Sequence, residues 1–390
     1  MSLDFDSARM YNPNINESHI AWRDQLRRFM DTEVIPFVEE WEEACELPLS
    51  LWPKAAEIGL LGMGYPEEFG GIKEGIDVWH SWIVNEELAR VGAGGVGASL
   101  MVHGIGLPPV INFAHPEVKA AVAPKVLAGE AWISLGITEP GGGSDVASLK
   151  TTARREGDEY VVSGSKTFIT GGMRANWVST AVRTGGPGPG GVSMLLIPTD
   201  AAGFSRTPLN KKQGWWASDT ATLYFDEVRV PVTHLIGEEN QGFKVIMHNF
   251  NSERMGMAAQ MEASARVCLE DAVNWARERK TFGKRLADHQ VIRHKISAMK
   301  QKLNATQAYI RACYEQIELG QPNAADIALL KVQASEVMEF CAREAMQILG
   351  GAGYLRGNRI ERIYREVRVN AIGGGSEEIM RDLAARQYQL

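Results

Sequence analysis

Cysteine is scarce in this chain: there are four in 390 residues, Cys45, Cys268, Cys313 and Cys341, and no two form a C-x-x-C pair. That spacing offers neither a zinc cluster nor a disulfide framework, so buried free thiols in helices are the ordinary expectation. None of the eight histidines belongs to an H-E-x-x-H pair, which removes the ligand set of that metallohydrolase class, and no metal site is expected. A G-x-S-x-G elbow is absent too. Positive charge is not in excess, since the net charge is -7. This argues against nucleic acid as the main partner while leaving room for local basic pockets. Long apolar runs of about 18 residues are not evident, and the polar start MSLDFDSARMYNPN lacks the apolar core of a signal peptide. The expectation is a soluble intracellular protein without a membrane span. Its place would be cytoplasmic in a bacterium, or the mitochondrial matrix as a processed eukaryotic form.

What is present is an ordinary globular composition, 45% hydrophobic and 23% charged. The length exceeds what one hydrophobic core usually serves, which implies two or three domains. From Ser18 to Trp41, residues Ile20, Leu26, Phe29, Met30, Val34, Phe37 and Trp41 approximate one helical face, with Pro36 expected to kink or divide it. Helical runs follow at 51–58 and 77–90, separated by the glycine-marked loop 66–71. From about Ala131 the pattern changes to short β-branched and aromatic runs at 160–162, 167–170, 192–198 and 222–230. After Gly242 long helical patterns resume, and Ala258, Ala265, Cys268, Ala272 and Ala276 place small apolar residues along one stripe. Further runs cover about 289–319 and 325–349. The expected fold is α+β and multidomain: an N-terminal helical domain (1–130), a middle β domain in sandwich or barrel form (131–240) and a C-terminal four-helix bundle (241–390).

The glycine clusters Gly141 to Gly143 and Gly350 to Gly353 lack the strand before and helix after that a Rossmann turn requires. Any nucleotide must be held by another architecture. Two segments then decide the reading: Gly136-Ile137-Thr138-Glu139-Pro140-Gly141-Gly142-Gly143-Ser144-Asp145, and Gln347-Ile348-Leu349-Gly350-Gly351-Ala352-Gly353-Tyr354. Both resemble the paired signatures of the acyl-CoA dehydrogenase family. Lys166-Thr167-Phe168-Ile169-Thr170-Gly171-Gly172 and Glu278-Arg279-Lys280-Thr281-Phe282-Gly283-Lys284 resemble two further family segments, in the expected order. The resemblance extends over nearly the whole chain.

The resemblance implies FAD as cofactor and α,β-dehydrogenation of an acyl-CoA thioester. The product is the trans-2-enoyl-CoA, and electrons pass to an electron-transfer flavoprotein. It places Leu135, Ile137, Thr138, Gly143 and Ser144 on the flavin, with Phe168 against the ring and Thr170 near its reactive nitrogen. Two apart on a strand, Phe168 and Thr170 would point to the same side. Gly171 stands where the family usually has Asn. Arg279, Thr281 and Phe282 would reach the FAD of a neighbouring subunit, since an Arg there can pair with a pyrophosphate. Gln290, Gln347, Gly351, Ser376 and Glu378 match other positions around the dinucleotide, and the implied assembly is a homotetramer, a dimer of dimers.

Removal of an α-proton needs a carboxylate and a donor that polarises the thioester carbonyl. The loop that commonly carries the family's catalytic Glu reads Ile372-Gly373-Gly374-Gly375-Ser376-Glu377-Glu378 here, with Gly374 at the base position. Asn251-Ser252-Glu253-Arg254-Met255 instead matches the base position of the long-chain and isovaleryl branches. The resemblance therefore assigns Glu253 as base and the Gly374 backbone N–H as carbonyl donor, with Ser144, Asn251, Arg254, Gly373, Gly374 and Gly375 toward the substrate. The glycine run suggests space for branched or bulky acyl groups. The alternatives are a related flavin oxidase or a catalytically silent binding or assembly protein.

Overall fold

Side-chain caps, prolines and glycines cut the N-terminal third into short helices. In the computed structural model, which describes residues 3–390, these are α1 (Glu17–Phe29), α2 (Val38–Ala44), α3 (Leu51–Glu57), α4 (Val78–Arg90), α5 (Gly94–Leu100), α6 (His103–Phe113) and α7 (Pro116–Leu127). Pro36 divides the first run: a π turn at Met30–Val34 and a 3-10 turn at Ile35–Phe37 separate α1 from α2. These turns change the number of residues per turn, so no single stripe runs through the segment. Leu26, Phe29, Met30, Val34 and Trp41 are buried, but Ile20 and Phe37 are exposed.

Asn16 and Asp77 cap α1 and α4, and in both helices the third residue, His19 or His80, accepts the cap's backbone N–H. The two starts meet at Asp77, 2.9 Å from His19 Nε2 and from His80 Nδ1. Because His19 Nδ1 accepts from Asn16 N, its Nε2 carries the proton and donates to Asp77. The trio is a helix-start junction rather than a set of free metal ligands. The stretch Gly94–Phe113, with a mean hydropathy of 1.3, is long and apolar enough to cross a membrane by length and composition. This corrects the expectation that no such run exists. More than half of it is buried against the rest of the fold, as in a core helix.

The middle section contains β1 (Ile133–Gly136), β2 (Thr152–Glu156), β3 (Glu159–Thr170), β4 (Trp177–Arg183), β5 (Val192–Pro198), β6 (Phe204–Pro208), β7 (Thr220–Pro231) and β8 (Leu235–Ile236). They make one sheet ordered β6-β7-β3-β2-β4-β5-β8, with β1 beside β4. The two runs expected at 160–162 and 167–170 are a single strand, β3. Register shifts at Val162/Gly164 and Lys166/Ile169 hide its continuity in the sequence. Strand β4 gives no alternation because five consecutive residues are buried.

The last section begins with α8 (Gly242–Glu278) and continues through a hairpin of β9 (Lys280–Thr281) and β10 (Lys284–Arg285). It then runs through α9 (Gln290–Glu318), α10 (Ala324–Leu349), α11 (Arg359–Ile372) and α12 (Glu377–Gln387). The small-residue stripe on α8 is completely covered: Ala258, Ala265, Cys268, Ala272 and Ala276 are at most 1% exposed. Three cysteines are buried, but Cys45 is exposed at the left-handed end of α2. The first turns of α8 lie on the sheet, where Val245 and Ile246 share a core with Ile133, Ala181 and Met194. Its later turns pack against α4 and α10. One helix thereby ties all three sections together.

Candidate active site

The loop after β1 is built around one buried carboxylate. Glu139 accepts from Lys150 N at 2.6 Å and Thr151 N at 2.8 Å, and pairs with Lys166 Nζ at 2.8 Å. Lys166, wholly buried on β3, also bonds Ile137 O. Thr167 N donates to Thr138 O at 2.8 Å. Two of the sequence motifs are thus fastened together by an ion pair for which sequence reasoning assigned no role, although both residues lie inside those motifs. Beyond Glu139, residues Gly141 to Asp145 are exposed. Among the described residues, the Thr138 and Ser144 side chains meet no hydrogen-bond partner.

On β3 the expectation of simple alternation fails. Phe168 has a φ of +59° at the bulge, so period-two spacing does not govern it. The bulge turns Phe168 outward, 69% exposed, with Thr170 half-buried two residues on. Ser134 Oγ fixes the backbone there by donating to Thr170 O. Gly171 follows at φ +69°, a left-handed conformation open to Gly and tolerated by Asn. The departure from the usual Asn therefore leaves the backbone path intact.

On α8, Glu253 has one carboxylate oxygen, Oε2, that is buried and, among the described residues, without a hydrogen-bond partner. Part of the residue remains accessible. Burial pushes its carboxyl up to about 7, against the pull of Arg254 and Lys331. Arg254, next in the chain, donates through Nε to Gly374 O at 3.2 Å and lies over the Phe250 ring. Asn251 is half-buried one turn earlier. The loop Gly373 to Ser376 is therefore joined to the helix that carries Glu253.

The glycine run does not open the space expected of it. A Cβ on Gly374 would lie 2.5 Å from Met257 Sδ, and one on Gly375 would strike Met380 Cε. The volume of the missing side chains is taken by two methionines. Both glycines have positive φ, +67° and +104°, so a carboxylate at 374 would strain the backbone as well. Ser376 is the N-cap of α12, accepting from Ile379 N, and Glu378 is exposed in its first turn. Glu377 accepts from Ser335 Oγ at 2.7 Å.

The remaining candidates lie elsewhere. Twenty-five residues of helix separate Glu253 from Glu278, about 38 Å at roughly 1.5 Å per residue. Arg279 follows, exposed and without an ion pair among the described residues. Phe282, at φ +51° and 97% exposed, tips the β9–β10 hairpin. Thr281 Oγ1 lies 3.1 Å from His289 Nε2 beside the start of α9. Gln290 opens α9, Gln347 sits in the last turn of α10, and Gly351 follows it; all three are exposed. Lys295 and Glu344 pair to hold these ends of α9 and α10 together. One chain therefore presents two sets of residues, one near Glu253 and one beyond the far end of α8.

Three family models match the chain in order: the acyl-CoA dehydrogenase N-terminal domain over residues 16–130, the middle domain over 134–228 and the C-terminal domain over 240–389. The chain belongs to the acyl-CoA dehydrogenase family. An acyl-CoA dehydrogenase of Alternaria alternata is 37% identical, with 98% of this chain and 94% of that protein covered. The mitochondrial long-chain specific acyl-CoA dehydrogenase of Rattus norvegicus is 35% identical over 95% of this chain and 86% of its own length. A crystal structure of a probable acyl-CoA dehydrogenase from Mycobacterium abscessus superposes with a TM-score of 0.93 at 44% identity, covering 96% of this chain and 99% of that one. Like its family, this acyl-CoA dehydrogenase is an FAD-dependent oxidoreductase. The residues fit the cofactor: an outward aromatic and unengaged hydroxyls border the loop after β1, and an unpaired arginine stands at the hairpin. Arg279→Ala is expected to lower retained flavin several-fold after gel filtration, read from visible absorbance, with unchanged far-ultraviolet helix signal.

Proposed function

We propose that this acyl-CoA dehydrogenase uses Glu253 to remove the α-proton of its thioester substrate, with the Gly374 N–H polarising the thioester carbonyl. The observation that carries this reading is the buried, unpartnered Glu253 Oε2. A carboxyl raised to about 7 has the basicity expected of a general base working near neutral pH. It has no structural partner to explain its burial. Arg254 fixes the Gly374 peptide by its bond to Gly374 O. Bound FAD would supply the hydride acceptor for the β-carbon, so that loss of proton and hydride would create the trans double bond of the enoyl-CoA.

Leu135, Ile137, Thr138, Gly143 and Ser144 would hold the flavin end with Phe168 and Thr170. Arg279, Thr281, Phe282, Gln290, Gln347 and Gly351 would hold the dinucleotide of another subunit. The span of about 38 Å along α8 supports that division, which needs at least two chains, and the working form we propose is a homotetramer. Ser376 and Glu378 sit at the start of α12 on the side of the base. An electron-transfer flavoprotein would reoxidise the enzyme. The buried carboxylate speaks against a silent binding protein, because such a role would keep its burial cost without use.

Anaerobic mixing with a panel of straight and branched CoA thioesters should bleach the visible flavin absorbance. With the best of them the rate should rise with pH along a single limb near 7, because only ionised Glu253 accepts the proton. Absence of bleaching with every thioester, in a yellow protein, would overturn the proposal.

A further inference from the structure

Resting on the Glu253 reading, we propose that Lys331 of α10 is a positioning residue for the reaction: it clamps the glycine loop that carries the Gly374 N–H and supplies a fixed positive charge beside Glu253. Lys331 is wholly buried. Its Nζ donates to Gly375 O at 2.8 Å and to Ala371 O at 3.3 Å, on either side of Gly374. Arg254 Nε takes the carbonyl between them, Gly374 O, at 3.2 Å. Two cations from two helices therefore hold two carbonyls of the glycine loop and a third in the last turn of α11, and from Gly373 to Gly375 the loop has no side chains of its own to anchor it. Glycine is otherwise the most mobile residue type. A donor aimed at a developing oxyanion works only if it is held in place before the reaction, and this clamp meets that requirement.

The charge has a second effect. The charged groups that act on Lys331 are Glu253 and Arg254 on α8 and Glu377 and Glu378 at the start of α12. Among the described residues, Arg254 and Lys331 are the charges that act on Glu253 in turn. Both cations favour its ionised form against burial, and Lys331 is the one that arrives from a different helix. Burial also weakens the hold of Lys331 on its own proton, bringing it down to about 8, so it remains cationic at neutral pH. A packing role alone would be met by a neutral side chain of the same length.

The test uses the FAD-loaded enzyme and 3-thiaoctanoyl-CoA, whose sulfur acidifies the α-proton and prevents hydride loss. Deprotonation of the bound thioester is read as a long-wavelength charge-transfer band against pH. In Lys331→Met the limb should move up by about one pH unit, because a carboxylate that loses a neighbouring cation becomes harder to ionise. The band at the plateau should fall by about tenfold, with bound FAD and melting temperature close to wild type. Lys331→Arg should leave the limb in place. Should Lys331→Met fail to retain FAD, Lys331→Gln, neutral but still a donor, should show the same upward limb. A limb in the neutral variants that superimposes on wild type would reduce Lys331 to scaffolding. Glu253→Gln separates the two readings: a retained band in that variant defeats the base assignment, whereas its loss together with an unmoved Lys331→Met limb defeats the Lys331 proposal alone.

Discussion

Glu253→Gln is expected to slow single-turnover flavin bleaching by about 10²-fold or more, the usual cost of losing a general base. Bound FAD and thioester affinity should stay close to wild type, because the amide keeps the shape of the side chain. The same variant should be more stable than wild type at pH 8. The native carboxyl titrates at about 7 against an unperturbed 4.5, so the native state holds its proton more tightly than the unfolded chain. That contribution is full below 4.5 and is lost as pH rises through 7, leaving a buried charge without a hydrogen bond. Glutamine carries no such charge. Melting curves should therefore separate at pH 8, with the variant higher, and converge near pH 4. The companion change Glu377→Gln should be mild in turnover, since Glu377 is engaged with Ser335 Oγ and Arg381. Equal loss of rate in both variants would point to a shared structural role.

Lys166→Met should be the most destabilising single change near the flavin loop. It leaves Glu139 as a buried charge with only the Lys150 and Thr151 amides. Breaking a buried pair from one side costs roughly 3–5 kcal/mol. The two partners respond to burial in opposite ways: it brings the Lys166 ammonium down to about 8. It would also raise Glu139, but the Lys166 bond and charge with the two amides outweigh that and hold the carboxyl near 2. Glu139 governs the pair, because three donors converge on it. Its stabilising contribution is full above 4.5 and is lost as pH falls toward 2. The difference in melting temperature between wild type and Lys166→Met should narrow over that interval. Flavin retention should fall with it, because the exposed turn Gly141 to Asp145 begins two residues after Glu139, which this pair anchors. A variant that keeps wild-type flavin content and stability would show that the loop holds itself.

Much of this architecture was legible because it rests on periodicity and on motifs. The helix-sheet-helix order, the long α8 and the break at Gly350 follow from patterns that survive without tertiary knowledge. The π turn before Pro36, the continuous β3 and the buried β4 do not, because a change of helical pitch, a bulge and burial on both faces each erase the period that a sequence displays. In the site, Glu253 was visible as a carboxylate in the Asn251 to Met255 segment, but its lack of a partner was not. Lys331 was overlooked although a lysine among Ile327, Ala328, Leu330 and Val332 is a signal, since lysine is almost never buried without a partner. The expected room is missing at Gly374 and Gly375 for a physical reason: a missing side chain leaves space only if no neighbour fills it, and Met257 and Met380 do.

Whether Glu253 takes the α-proton can be read from washout of deuterium from 3-thiaoctanoyl-CoA labelled at the α-carbon, followed by mass spectrometry in ordinary water with the FAD-loaded enzyme. Wild type and Glu377→Gln should wash the label out rapidly, and Glu253→Gln only at the enzyme-free background rate. Washout by Glu253→Gln at near the wild-type rate would contradict that role.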